Sequence, residues 1–318
     1  MCRAAGGKSK GSFRGGASGF VTYWVTSSWF KRFVGFAGKR SLPLLPATTL
    51  RRWHAAHANR PGPFPNGRVF LFCDEFTNYH DAPVGIKAVR LLNRLGYEVV
   101  IPPHVDSGRA QFSKGLLSAA QKLAIRNVEL LKAVITADAP LVGLEPSAIL
   151  GFRDEYPDLM PPTLVDAART LAKNALLFDE FIAREADAGR IRRESFTAAS
   201  RAVTLHGHCH QKALASVAPT VTALSLPANY RVSVLSSGCC GMAGAFGYEA
   251  EHYDVSMQIG ELVLFPAVRA TPADTLIAAP GTSCRHQIKD GTGRLALHPA
   301  EILHDALVSA QISATVSP

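Results

Sequence analysis

From residue 69 onward the chain alternates short β-rich runs with helical patterns, and it does so twice in the same order. No other feature constrains the fold as strongly. A strand, a helix and a further strand make a βαβ unit, and such units build parallel sheets. The first series starts with a strand at Val69–Cys73 and a helix at Val84–Leu95 with Gly96 as its C-cap. A strand at Glu98–Ile101 and a long helix from Ser113 follow, the latter with Leu116, Leu117, Ala120, Leu123, Ala124, Val128 and Leu131 on one face. A strand at Leu141–Leu144 closes the series and runs into Glu145-Pro-Ser-Ala148 and another helix. In the second series the strand Ala202–His206 leads to a helix near Gln211–Leu224. The strand Arg231–Leu235 leads to Ser236-Ser-Gly-Cys-Cys-Gly241 and a helix near Ala250–Leu264. The strand Asp274–Ala279 ends at Gly281-Thr-Ser-Cys284, before a last helical region. Ser107-Gly-Arg109 then lines up with Ser237-Gly-Cys239, and Pro146-Ser-Ala148 with Thr282-Ser-Cys284. The expected fold is α/β, two pseudo-repeated βαβ halves with mostly parallel sheets, in which only the second copy has thiols in these loops.

Parallel sheets carry their functional loops at the carboxyl ends of the strands. Four of the six cysteines fall in such loops: Cys209, the adjacent Cys239 and Cys240, and Cys284. Loops that meet at one sheet edge would bring four thiolates to one point. Four thiolates suit an iron–sulfur cluster, and equally a structural zinc. A disulfide between Cys239 and Cys240 would close a strained ring, which favours ligation. Gly238 and Gly241 flank the pair, as expected where backbone packs closely or takes positive φ. Six cysteines in 318 residues are no disulfide framework and point to a reducing, cytoplasmic setting.

Charge separates the start of the chain from the rest. Residues 1–68 hold 12 Lys and Arg and no Asp or Glu, which leaves 22 basic against all 25 acidic groups afterwards, a net of −3. The formal +9 is therefore a property of a basic leader, and the body lacks the excess positive charge of a nucleic-acid-binding surface. Residues 1–67 are expected to be a Gly-, aromatic- and Pro-rich leader and linker, in part disordered, with residues 68–197 and 198–318 as the two halves. Between residues 20 and 36 aromatic residues recur at nearly helical spacing. A short helix packed on the body or on a partner accounts for them; the alternative lays it on a membrane with Lys31, Arg32, Lys39 and Arg40 at the headgroups. No run of 18 apolar residues exists, so no transmembrane helix is expected, and at most the chain attaches peripherally to the inner face of a membrane.

The segments LHGHCHQKAL around Cys209, SGCCGMAGAFGYEAEHY and GTSC resemble the cysteine-rich "CCG" domain of the heterodisulfide reductase B subunit. The runs DEFTNYHD, SKGLL, GLEPSAIL and RDEYPDL look like the C-terminal region of FAD-binding and Fe–S-binding oxidoreductases of the D-lactate dehydrogenase or glycolate oxidase kind. The resemblance covers residues 69–307. It implies two CCG half-domains, an iron–sulfur component that transfers electrons during oxidation of a 2-hydroxy acid such as lactate or glycolate, and FAD on a partner or separate domain. It also implies a ferredoxin-like domain and an electron acceptor as partners, and no nucleic acid. The family pattern ends in Cys-x-x-Cys, whereas Gly281-x-x-Cys284 stands here; Asp106-Ser107 and Ala148 replace the thiols of the first half. Four ligands thus remain, Cys209, Cys239, Cys240 and Cys284, for one 4Fe–4S cluster. With neither a flavin domain nor a ferredoxin cysteine run in view, the chain resembles a fragment or split subunit of a larger enzyme. The alternative is a non-catalytic zinc-binding scaffold for a flavoprotein partner.

His208 and His210 would lie on one side of an extended chain and Cys209 on the other. With His206 they cap a strand end or act as ligands or proton relays; His208, His210, Arg285 and His286 could also surround the cluster and tune it by hydrogen bonding. Arg109 and Lys114, near the degenerate first site, are surface charges or anion binders. Glu249 and Glu251 suit a helix N-terminus. Cys2 and Cys73 are expected to be uninvolved.

Overall fold

A computed structural model describes residues 28–43, 45–57 and 63–308. Eight strands form two sheets, each four-stranded and wholly parallel. The first holds β1 (Arg68–Phe72), β2 (Glu98–Val100), β3 (Leu141–Gly143) and β4 (Ala175–Leu177) in the order β2-β1-β3-β4. The second holds β5 (Arg201–Leu205), β6 (Tyr230–Val234), β7 (Leu276–Ala278) and β8 (Ala296–Leu297) in the order β6-β5-β7-β8. The two orders are the same once the second series is renumbered, as an internal duplication requires. β4 and β8, three and two residues long, are outer strands that the sequence reading did not find; so short a run carries no periodicity.

The central strands β1 and β3 are covered on both faces and are accordingly apolar along Val69–Phe72 and Leu141–Val142, whereas the edge strand β6 alternates and is largely exposed. Along β1, Val69 and Leu71 face one core, while Phe70 and Phe72 face another. The Val69 side joins the halves: it packs with the helix Ala82–Arg94, with Phe178 and Phe181, and with Val203, Leu205, Leu224 and Leu303 of the second half. A third core, around Phe265, Val268 and Ile288, lies on the far side of the second sheet and includes Cys240 and Cys284.

Several elements depart from expectation. The long helix covers Leu117–Leu131, and Leu116 and Leu117 are each 58% exposed. A turn at Lys114-Gly115 separates it from the short helix Arg109–Ser113, and its inward face is Ala120, Ala124, Asn127, Val128 and Leu131. Asn127 is tolerated there because its Oδ1 accepts the Val105 N–H and its Nδ2 donates to Asp106 O and to Tyr156 Oη. The helix expected over Gln211–Leu224 is two, Cys209–Leu214 and Ala218–Leu224, because Pro219 suits a first turn and not a helix interior. Pro266 likewise opens Leu264–Ala270 after Tyr253–Leu262.

Residues 1–27 of the basic segment lie outside the described residues. Of the described residues that follow, several pack on the body. Phe36 pairs with Glu249 in an antiparallel bridge, the Ala37 N–H donates to Tyr248 O at 2.8 Å, and Leu50 is fully buried in the shared core. Placing Lys31 and Arg40 at lipid headgroups is therefore wrong. Arg40 is fully buried and paired with Asp290 at 3.2 Å, and Lys31 is buried with Nζ donating to Arg40 O at 2.7 Å. Among the described residues no helix is long and apolar enough to cross a membrane.

Candidate metal centre

The carboxyl ends of β5, β6 and β7 meet at one place, as parallel strands with a common register dictate. β5 delivers His206 and then Cys209, β6 delivers Ser237, Cys239 and Cys240, and β7 delivers Gly281 and Cys284. Cys209 and Cys284 sit in the first turns of helices Cys209–Leu214 and Thr282–Thr292 rather than in loops. Lys212, one turn after Cys209, donates Nζ to Ser237 O at 2.7 Å and Gly238 O at 2.8 Å and so fixes the loop before the Cys239–Cys240 pair. Gly241 closes that loop with φ +98, where a Cβ would collide with Ser256 O.

All four sulfurs are in one connected group. Cys209 interacts with Cys239, Cys239 with Cys240, and Cys240 with Cys284, and none of the four is in a disulfide. Hydrogen bonds from Cys209 and Cys240 hold Cys239 far below the ordinary thiol range, helped by the Gly241 N–H at 3.3 Å from its Sγ. The bond from Cys240 lowers Cys284 in the same way, despite full burial. Cys209 and Cys240, the donors, are raised. The four sulfurs titrate as a set. The N-terminus of the eleven-residue helix Thr282–Thr292 adds its partial positive charge beside Cys284.

His206, one of the three histidines that alternate around Cys209, lies deepest in the site. Fully buried, it lies with a ring nitrogen, Cys240 Sγ and Cys284 Sγ all within 4.8 Å of one another. Its Nδ1 is 2.7 Å from Ser237 Oγ, while Nε2 is buried without a hydrogen-bond partner. A buried polar atom left open next to thiolates is what a site for a bound group presents. Its position directly after a strand and three residues before Cys209 was the available signal. His208 caps the helix of Cys209, its Nδ1 accepting the His210 N–H at 3.2 Å, and the two rings stack 5.6 Å apart. His208, Cys209 and His210 lie within 4.8 Å of one another. Opposite sides, as expected for an extended chain, is thus incorrect, because the chain turns helical at Cys209.

The other expected residues serve the site less directly. Arg285 donates Nη1 to Ala279 O and Pro280 O at 3.0 and 2.8 Å and pairs with Asp81, which holds the loop leading to Cys284. His286 contacts Tyr248 Oη at 3.2 Å. Arg109 pairs with Glu155 at 2.5 Å, and Lys114 with Glu249; neither is a free surface charge. Glu251 is exposed and groups with Glu249 and His252 outside the thiol site. In the first half Glu75 starts the helix equivalent to that of Cys209, and its carboxylate accepts the Ser107 N–H and Oγ–H at 2.9 and 2.7 Å. Ala148 is buried. Cys73 is buried alone, its thiol pushed up to about 12 by desolvation and Asp74, with Sγ donating to Asn78 Oδ1 at 3.6 Å.

Comparison with known proteins finds no matching family model. The chain is similar to D-2-hydroxyglutarate dehydrogenase of Escherichia coli K12, 31% identical over 236 residues that are 74% of this chain and 22% of that protein. It is similar to the C subunit of the anaerobic glycerol-3-phosphate dehydrogenase of the same organism, 28% identical over 271 residues, 85% of this chain and 66% of that one. It is also similar to lactate utilization protein A of Bacillus subtilis 168, 27% identical over 248 residues, 74% of this chain and 99% of that one. The chain spans 22% and 29% of the length of two D-2-hydroxyglutarate dehydrogenases that it matches.

Proposed function

We propose that this chain is the iron–sulfur component of an oxidoreductase. Cys209, Cys239, Cys240 and Cys284 hold one cluster, which takes up and gives out single electrons. The convergence of the four cysteines at the ends of three parallel strands, with His206 beside Cys240 and Cys284, carries the reading. Four thiolates meet the ligand demand of a 4Fe–4S cluster, so the residues fit the group. Residues 68–197 are then a degenerate CCG half, stabilised by Glu75 at the position of Cys209 and by Glu145 at that of Gly281, and residues 198–318 the half that keeps the site. The chain's own groups set the environment: the helix end at Cys284 favours thiolate, His206 and His208 stand beside the sulfurs, and Arg285 with Lys212 fixes the loops.

Two of the similar proteins are dehydrogenases or dehydrogenase subunits by name, and one is named for lactate use. The names of the first and third support a role in electron transfer from a 2-hydroxy acid oxidised at FAD on a partner. Anaerobic purification with iron reconstitution tests the reading. Expected are about four irons and four sulfides per chain, a brown colour, and a paramagnetic signal on reduction that each Cys→Ala substitution at the four positions removes. Stoichiometric zinc without a redox signal, or a colourless iron-free protein after reconstitution, overturns it.

A further inference from the structure

His206 stands directly after β5, and its backbone N–H continues the sheet by donating to Ala278 O at 2.9 Å. The imidazole is fully buried. Its Nδ1 lies 2.7 Å from Ser237 Oγ. That leaves Nε2 as the nitrogen for the sulfurs, since a ring nitrogen, Cys240 Sγ and Cys284 Sγ lie within 4.8 Å of one another. Nε2 has no hydrogen-bond partner. Burying such an atom costs stability unless something binds it.

The first half shows that the fold itself does not need a polar ring here. Asp74 and His208 cap equivalent helices, and two residues before each cap stand Phe72 and His206. Phe72 is just as buried and packs edge-on against Phe152 at 5.0 Å. In the same half Ala148 stands where Cys284 does, three residues after the helix cap. The half without thiols therefore carries a phenyl where the half with thiols carries an imidazole.

Hydrogen bonding separates His206 from its neighbour. His208 Nδ1 accepts the His210 N–H at 3.2 Å, so the neutral ring of His208 carries its proton on Nε2 and can only donate there. His206 can instead give an Nδ1 proton to Ser237 Oγ, which leaves the Nε2 lone pair free. A metal-bound histidine is held in this way, with one nitrogen on the metal and the other donating to an oxygen.

We propose that His206 is a ligand of the metal centre through Nε2, beside Cys240 and Cys284 at its buried end. The assignment deepens the iron–sulfur reading and rests on it for the identity of the metal. The cluster then has the four thiolates and one imidazole as ligands, and one of its irons takes two of them.

Histidine labelled with heavy nitrogen tests this on the wild-type chain. After anaerobic iron reconstitution and reduction, pulsed electron paramagnetic resonance is expected to show one strongly coupled nitrogen, whose coupling changes with the isotope in the histidines. His206→Cys, which offers a thiolate in its place, is expected to keep iron, lose that coupling and lower the midpoint potential, since imidazole in place of thiolate raises the potential of a cluster. A wild-type cluster without a strongly coupled nitrogen overturns the proposal, and so does a coupling that survives in His206→Cys. Failure of the cluster reading is seen separately. If the chain takes up zinc and no iron, X-ray absorption at the zinc edge reads the ligands directly. A nitrogen among the sulfurs that His206→Cys removes keeps His206 as a ligand while the cluster reading falls. Sulfur alone, or no metal bound under either loading, overturns the proposal.

Discussion

The Glu145 carboxylate, at the end of β3, accepts the Thr282 N–H at 2.8 Å, so an acid of the first half caps the helix that carries Cys284 in the second. Its other oxygen accepts the Ser147 N–H and Oγ–H at 3.2 and 2.7 Å. The degenerate half therefore positions part of the thiol site rather than simply lacking one.

Removing that carboxylate leaves these three donors open. Glu145→Ala should cost about 1–3 kcal/mol, and Glu145→Gln, which keeps an acceptor, distinctly less. Urea unfolding of the apo chain measures both. Wild-type stability in the alanine variant would mean that Glu145 does not cap the helix.

Arg40 ties the strap to both thiol-bearing segments. Its Nε donates to Gly247 O at 2.9 Å, Nη1 to Gln287 Oε1 at 2.7 Å, and Nη2 to Ser256 Oγ at 3.2 Å, besides the ion pair with Asp290. Arg40→Met leaves the nearly buried Asp290 carboxylate with the Ser41 N–H and Oγ–H but no counter-charge, so a loss of about 3 kcal/mol is expected. Faster release of iron to a chelator should accompany it. A loss below about 1 kcal/mol would be incompatible with a buried pair.

Asp179 is buried, and desolvation, then the Glu180 charge, pushes its carboxyl up to about 7 against the donors Gln211 and Thr220. The folded chain holds this proton more tightly than the unfolded chain. Its contribution is therefore fully present below the unfolded value near 4 and is lost as pH rises through about 7. Urea midpoints measured across that window should fall with pH at this site. Asp179→Asn, which keeps an acceptor for both donors, should flatten the slope, and an unchanged slope would refute the assignment.

Gly281 and Gly238 offer a paired test. A Cβ on Gly281 would run into the His208 ring and stand 3.3 Å from Cys284 Sγ, whereas one on Gly238 meets nothing within 4 Å. Gly281→Ala should cost about 1–3 kcal/mol through overpacking and lower iron retention. Gly238→Ala should be neutral or stabilise by about 0.4–1 kcal/mol through the unfolded chain. Equal behaviour of the two variants would place the His208 ring elsewhere.

Much of this was legible in the residues. Apolar runs such as Phe70–Phe72 and Val203–Leu205 marked the central strands, and the recurring loop pattern marked the duplication. Glycines and adjacent cysteines marked where backbone and sulfur had to come close. Leu116 and Leu117 misled because periodicity reports which residues share a face, and a turn at Gly115 moved the start of that face. Histidine alternation misled around Cys209 because it presumes an extended chain.

The sequence by itself determined the α/β alternation, the two halves and the four thiols, since these follow from local periodicity and from the few residues able to ligate metal. Only the tertiary structure decided that Arg40, over 200 residues from Asp290, is wholly buried, that Glu145 caps the helix of Cys284, and that Arg109 and Lys114 are already paired. The physical reason is that a charge has no fixed role along a chain. Its role comes from which opposite charge or open backbone donor the fold brings within hydrogen-bond reach, and at such separations no local pattern encodes that partner.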